Sequence, residues 1–125
     1  MLKKVLIVDD SPLIHKMYRL VMTRYGCNFL DAHNGQDALD VLARECDIDL
    51  VLLDINMPVM NGVQFLEKAA HTQLAQKVPI IVISTEGKEQ DTLKGLELGA
   101  RGYLTKPFQP ADLHEMIGRI FRVSA

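Results

Sequence analysis

The 125-residue sequence predicts an α/β domain, doubly wound about a five-stranded parallel sheet. Three observations carry this expectation. Aliphatic blocks without polar alternation recur at 5–8, 50–53 and 80–83, as strands buried on both faces require. Amphipathic stretches with helical spacing lie between them, set off by proline, glycine or Asn-Gly. The βα unit repeats five times, which calls for a parallel sheet with helices on both faces and right-handed crossovers.

The first strand spans 4–8 and is β-branched at Val5, Ile7 and Val8; Asp9 and Asp10 follow it. Ser11-Pro12 opens a helix, with Ser11 as N-cap and Pro12 in the first turn, where its missing N–H does no harm. Leu13, Met17, Leu20 and Val21 are expected to form its apolar face, and Gly26 to end it in a left-handed conformation. Residues 28–32 make a weaker strand, short and carrying Asp31, and so are placed at the sheet edge. Asn34-Gly35 alone would signal a hairpin. The pattern Leu39, Leu42, Ala43 and Cys46 that follows is helical, so no second strand is expected there.

Strand three is the run Leu50-Val51-Leu52-Leu53-Asp54, stopped by Pro58. Asn61 and Gln64 have capping-box spacing before a helix with Phe65, Leu66, Ala69 and Ala70 inward. Residues 79–84 are strand four. The helix expected at 88–98 is poor: only Leu93, Leu96 and Leu98 are strongly apolar, and Gly95 weakens it by about 1 kcal/mol relative to Ala. A marginal element suits a conformational switch. Gly99 ends it, and Gly102-Tyr103-Leu104 is a short fifth strand. Pro110 starts a last helix with Leu113, Met116, Ile117, Ile120 and Phe121 on one face. Strands one, three and four should be central, giving the flavodoxin-like order 2-1-3-4-5.

Size and composition fit one domain over 1–125, with a core that needs no staples. A net charge of −2 gives no broad pull toward nucleic acid or membrane. The apolar run after Lys3-Lys4 is too short for a signal peptide and ends in two aspartates, and no run reaches membrane-spanning length. Cys27 and Cys46 lack CxxC spacing and read as buried thiols of a reducing cytosol; the four histidines show no metal-ligand spacing. A cytoplasmic protein is expected.

In this architecture every strand opens its carboxyl end at one rim, where open α/β sheets bind ligands. Asp9, Asp10, Asp54, Ser84 and Lys106 all fall there. Each alone has an ordinary explanation as a turn former, a cap or a solvated charge. Five together are a much rarer coincidence. Three crowded carboxylates should raise one another's pKa and need positive charge. Lys106 supplies one, and Mg²⁺ is the natural second. A carboxylate beside such a metal can attack a phosphoryl group and form an aspartyl phosphate.

These residues resemble the receiver domain of two-component response regulators, and the single-domain chemotaxis regulators in particular. The similarity rests on Val8-Asp9-Asp10-Ser11, on Leu53-Asp54-Ile55-Asn56-Met57-Pro58 with Gly62, on Ser84, and on the stretch from Gly99 to Phe108 that includes Tyr103-Leu104-Thr105-Lys106-Pro107. The resemblance implies that Asp54 accepts phosphate from a sensor histidine kinase or histidine phosphotransfer domain. It implies Mg²⁺ bound by Asp10 and Asp54, by the Asn56 backbone carbonyl, and by Asp9 through water. Lys106 would pair with Asp54 and then with its phosphate. Ser84 would bond a phosphoryl oxygen, and Tyr103 would follow by turning inward, altering the face made by the fourth helix, fifth strand and last helix for a downstream protein target. The Lys106–Pro107 bond would be cis.

The sequence departs from the family pattern in places. Ser84 stands where Thr is frequent, and Thr85 where a smaller residue is usual, which restricts access to the phosphate. Asn56 and Glu86 match positions that, with residue 85, tune phosphate lifetime. Arg101-Gly102 replaces the acidic pair of the transcription-factor subgroup and argues against its dimer mode, so a monomer is expected, with dimerisation on phosphorylation as the alternative. The chain stops at Ala125, straight after the last helix, so a stand-alone regulator is expected over a receiver excised from a larger regulator or hybrid kinase. Other functions fit less well. A phosphohydrolase using an aspartyl phosphate would resemble D-x-D after the first strand, but Asp54-Ile55-Asn56 lacks the second acid and follows the third. A flavin or nucleotide carrier would need a phosphate loop where Asp9-Asp10 stands, and no GxGxxG or P-loop pattern is present. An inert receiver-like module would not need all five site residues.

Overall fold

The computed structural model describes residues 2–45, 47–57, 60–72 and 78–124, the last three by their backbone alone. Cys46 and Pro58, assigned above to a helix face and to the stop after strand three, lie outside the described residues. The elements are β1 (Lys4–Val8), α1 (Pro12–Val21), a 3-10 turn (Thr23–Tyr25), β2 (Asn28–Ala32), α2 (Gly35–Arg44), β3 (Leu50–Asp54), α3 (Gly62–His71), β4 (Ile80–Thr85), α4 (Glu89–Glu97), β5 (Gly102–Lys106) and α5 (Pro110–Ser124). The five strands are parallel in the order β2-β1-β3-β4-β5.

Every residue of β3 is buried, as the unbroken apolar run demands. Alternating side chains feed two cores. Leu6, Val8, Val51, Leu53, Ile80 and Val82 pack under α2, α3 and α4. Val5, Ile7, Leu50, Leu52, Ile81, Ile83 and Leu104 pack under α1 and α5. The helices therefore cover both faces.

Helix faces follow geometry more closely than they follow hydrophobicity. In α1 the expected face is wrong in part: Leu13 and Leu20 are 73 % and 77 % exposed. Tyr18 and Met22 are buried instead, with Ile14, Met17 and Val21 partly buried beside them. The 3.6-residue period puts positions 14, 18 and 21 on one stripe and carries 13 and 20 off it. Gly26 is left-handed (φ 61°), but it closes the 3-10 turn and not α1, which ends at Val21. Ser11 is the N-cap of α1 by position, yet its hydroxyl caps nothing. In α2 the inner residues are Ala38, Val41 and Leu42, and Ala43 is exposed; in α3 Phe65, Leu66 and Ala69 are buried and Ala70 is exposed. Cys27 is half-buried, not buried.

Two helix starts match their sequence signals. Asn34 accepts a bond from the Asp37 amide at the start of α2, so Asn34-Gly35 caps a helix. Asn61 and Gln64 form a complete capping box at α3. The α5 face of Leu113, Ile117 and Ile120, flanked by Met116 and Phe121, stands as expected. The strand assignments shift slightly: β4 runs one residue later than 79–84, and β5 extends to Lys106. In α4 Leu93 is 61 % exposed and Leu96 only partly buried. Gly95 is buried, and a Cβ there would lie 3.2 Å from Val82 and 3.3 Å from Leu66. The glycine that weakens the helix also lets it sit close to the sheet.

A second close approach fixes the loop after β3. A Cβ on Gly62 would lie 2.8 Å from the Ile55 Cα and 2.9 Å from the Asp54 carbonyl oxygen, both backbone atoms that cannot swing aside. Gly62→Ala is expected to destabilise the fold by about 1–3 kcal/mol through overpacking, read as a lower urea midpoint at unchanged slope. By contrast, Leu20→Ser should stay within about 0.5 kcal/mol of wild type, as an exposed site away from the core does.

Candidate functional site

The carboxyl ends of β1, β3 and β5 bring an acidic cluster and one lysine together. Asp54 has the same strand parity as Leu50 and Leu52, so its carboxylate lies on the α1/α5 side of the sheet. Lys106 has the same parity as Leu104 and comes to that side as well. Asp9 follows β1, its amide bonded to the Ala32 carbonyl at 3.0 Å. One ligand oxygen each from Asp9, Asp10 and Asp54 lies within 4.8 Å of the others. Lys106 Nζ stands 3.4 Å from Asp9 Oδ2 and 3.9 Å from Asp54 Oδ1, so it leans toward Asp9.

Asp54 is only 5 % exposed. Its Oδ1 accepts a bond from the Asn56 amide at 3.2 Å. Its pKa is pushed up to about 6. Burial is the main cause; Lys106 opposes it, and the Asp9 charge adds to it, with Asp10 contributing less. Desolvation, more than the mutual repulsion expected above, thus dominates. The set is oxygen-only, clustered and negatively charged, which fits a hard divalent cation better than a soft one.

Ser84 behaves differently. It shares parity with Ile80 and Val82 and so faces α4, away from the carboxylate side. Its Oγ lies 3.0 Å from Thr92 Oγ1. Tyr103 is half exposed, at 48 %, and lines a cleft of about 200 Å³ with Ser84, Thr92, Leu93, Leu96 and Thr105. Thr85 Oγ1 accepts a 3.4 Å bond from the Asn56 amide nitrogen Nδ2, so two of the three lifetime positions touch, and Glu86 is exposed beside them. The Lys106–Pro107 bond is cis.

Three residues near the rim escaped sequence analysis. His15 is buried, with Nδ1 2.6 Å from Asp31 Oδ1 and Nε2 2.8 Å from the Asp9 carbonyl oxygen. Arg19 also bonds Asp31, at 2.5 Å. Partial burial pushes the Asp31 carboxyl up, but the Arg19 and His15 bonds outweigh it and hold it below the ordinary range. Tyr18 is buried and stacked on Phe108, and its hydroxyl has no partner among the described residues. Burial, followed by the Asp9 and Asp54 charges, raises its pKa. Thr92 is the third. No local pattern marks these residues, because each acts through a partner on another element.

A doubly wound sheet with this acidic rim is the architecture of signalling receivers. Residues 5–118 match the response regulator receiver domain, and the chain belongs to that family. It is 34 % identical over 115 residues to a chemotaxis protein CheY homolog of Campylobacter jejuni, covering 91 % of this chain and 88 % of that one. It is 38 % identical over 123 residues to the transcriptional regulatory protein CpxR of Escherichia coli, of whose length it spans 51 %. The crystal structure of chemotaxis protein CheY4 of Vibrio cholerae superposes with a TM-score of 0.82 at 32 % identity, covering 95 % of this chain and 98 % of that one. A receiver domain from Clostridium thermocellum shares the fold, with a TM-score of 0.86 at 24 % identity. Among the described residues no helix is long and apolar enough to cross a membrane.

The raised pKa of Asp54 has a consequence for stability. Between about pH 4 and pH 6 the folded chain holds a proton that the unfolded chain has released. The stability this group contributes is therefore complete below pH 4 and lost as pH rises through 6. In metal-free buffer at pH 8, Asp54→Asn is expected to stabilise the fold by roughly 1–3 kcal/mol, a gain that vanishes toward pH 4. Urea unfolding at the two pH values checks this; equal stability of the two proteins at pH 8 would remove the desolvation account.

Proposed function

We propose that the protein is a phosphorylation-dependent signalling switch whose phosphoacceptor is Asp54. The observation that carries this is a buried, clustered carboxylate at a strand end with one ammonium beside it. At neutral pH most of the Asp54 population is ionised despite its raised pKa, so an oxygen nucleophile is at hand. Asp54 Oδ attacks the phosphorus of a phosphohistidine on a partner kinase or phosphotransfer domain. The new O–P bond forms as the P–N bond breaks, and the histidine leaves with the electron pair and takes up a proton.

Asp10, Asp54 and the Asn56 carbonyl would hold Mg²⁺, with Asp9 contributing through water. The bound ion would supply charge neutralisation for the transferring phosphoryl group. Lys106 balances part of the same charge and can turn from Asp9 to a phosphoryl oxygen. Thr85 and Asn56, in contact at the mouth, restrict the approach of water and so set the phosphate lifetime together with Glu86.

The output is a change on the α4–β5–α5 face, read by a downstream protein. A new phosphoryl group attracts the Ser84 hydroxyl, and Tyr103 turns into the cleft beneath it. A cavity of about 150 Å³ holds a benzene ring, so the cleft of about 200 Å³ can take the phenol. In this reading the chain does not turn over a substrate of its own; it acts as a single 1–125 domain, a monomer in the cytoplasm that engages neither nucleic acid nor membrane directly.

Incubated with Mg²⁺ and a small acyl phosphate, the protein is expected to gain the mass of one phosphoryl group, and Asp54→Ala to gain none. Chelation of the metal should slow the labelling at least about tenfold, the scale of losing a principal charge contact to the phosphoryl. Undiminished labelling of Asp54→Ala would overturn the assignment.

A further inference from the structure

The resting position of Ser84 is held by a partner that the switch described above does not include. Thr92, on the inner side of α4, is buried, as is Ser84. Thr92 Oγ1 lies 3.0 Å from Ser84 Oγ and also 3.0 Å from the Lys88 carbonyl oxygen. A hydroxyl has one proton, so Thr92 cannot donate to both. A carbonyl oxygen can only accept. The arrangement that satisfies every group is a relay in which Ser84 donates to Thr92 and Thr92 donates to Lys88.

Two further features make this relay a restraint and not an incidental contact. Ser84 faces α4 by strand parity, so Thr92 meets it directly at the sheet surface. The Lys88 carbonyl already accepts the Thr92 amide at 3.0 Å, so it stays satisfied if the Thr92 hydroxyl leaves. The Ser84 hydroxyl, in contrast, has no other hydrogen-bond partner among the described residues. Its proton is committed to Thr92 at rest and must be withdrawn before it can serve a phosphoryl oxygen.

We infer that Thr92 is a positioning residue that latches the Ser84 hydroxyl to the first turn of α4 and so sets how readily the switch is thrown. The inference rests on the phosphoacceptor reading of Asp54. In the resting state the latch opposes activation. When it opens, the Thr92 hydroxyl loses a neighbour that ties α4 to β4, and the helix end carrying Lys88 is released with it. The poor apolar face of α4 makes this polar tie a larger share of what holds the helix down.

The test uses beryllofluoride, which mimics the phosphoryl group on Asp54, titrated in the presence of Mg²⁺. Thr92→Val keeps the branched shape and removes the hydroxyl, leaving resting Ser84 without its partner. It is expected to bind beryllofluoride about 3- to 10-fold tighter than wild type, the scale of one lost hydrogen bond in the resting state. Thr92→Ser keeps the hydroxyl and should stay within about twofold of wild type. A loss of packing alone would weaken binding, so tightening in Thr92→Val with rescue in Thr92→Ser identifies the latch. Mg²⁺ affinity should be the same in all three proteins. Unchanged or weaker beryllofluoride binding by Thr92→Val, or equal tightening in both variants, overturns the inference while leaving Asp54 as phosphoacceptor. Wild type that takes no beryllofluoride overturns that reading and this inference with it.

Discussion

A carboxylate withdrawn from water at the end of a strand with no polar face is the constraint on which this structure turns. Asp54 is nearly as buried as the leucines that precede it. Burial raises the cost of its charge, and the nearby Asp9 raises it further. Among the described residues the fold meets this cost with one amide and one ammonium. The site is left short of positive charge, which is the condition for drawing in a hard divalent cation.

The surrounding chain is shaped to keep that carboxylate in place. Gly62 lets α3 begin against the Asp54 carbonyl, where any side chain would collide with backbone. The loop after β3 is thereby pinned at both ends, by the strand and by a capped helix. Beside α3, on the same face of the sheet, α4 is held more loosely. Its glycine buys closeness to β4 at the expense of helix propensity, and its leucines are left partly or largely in solvent. An acidic rim and a weakly seated helix meet at the end of β4, where Ser84 faces the helix.

Much of this was legible in the sequence, and what was not has common physical causes. Strands read well because β1, β3 and β4 are apolar on both faces, a pattern that no surface helix shares. The rim residues Asp9, Asp10, Asp54 and Lys106 followed from strand ends in a parallel sheet, since all carboxyl ends open together. The face of α1 did not follow. Leucine at 13 and 20 looked like core, while the inward stripe is completed by His15 and Tyr18, whose polar atoms hide their packing role. Ala43 and Ala70 were misplaced because alanine reports little about which way a helix faces. Thr92 could not be found from local pattern at all: its contact with Ser84 depends on the parity of β4 and the rotation of α4, which arise only in the folded chain.

His15 carries one more implication, for how this sequence can drift. Its ring joins the edge strand to the loop of Asp9, with Asp31 on one nitrogen and the Asp9 carbonyl on the other. Loss of Asp31 would leave the buried imidazole half-satisfied in a dry setting, whereas loss of His15 would leave the exposed Asp31 still paired with Arg19. The cost is therefore one-sided: while His15 stays, residue 31 must keep an acceptor for its ring, and the outermost strand inherits a say in how the loop of Asp9 is held.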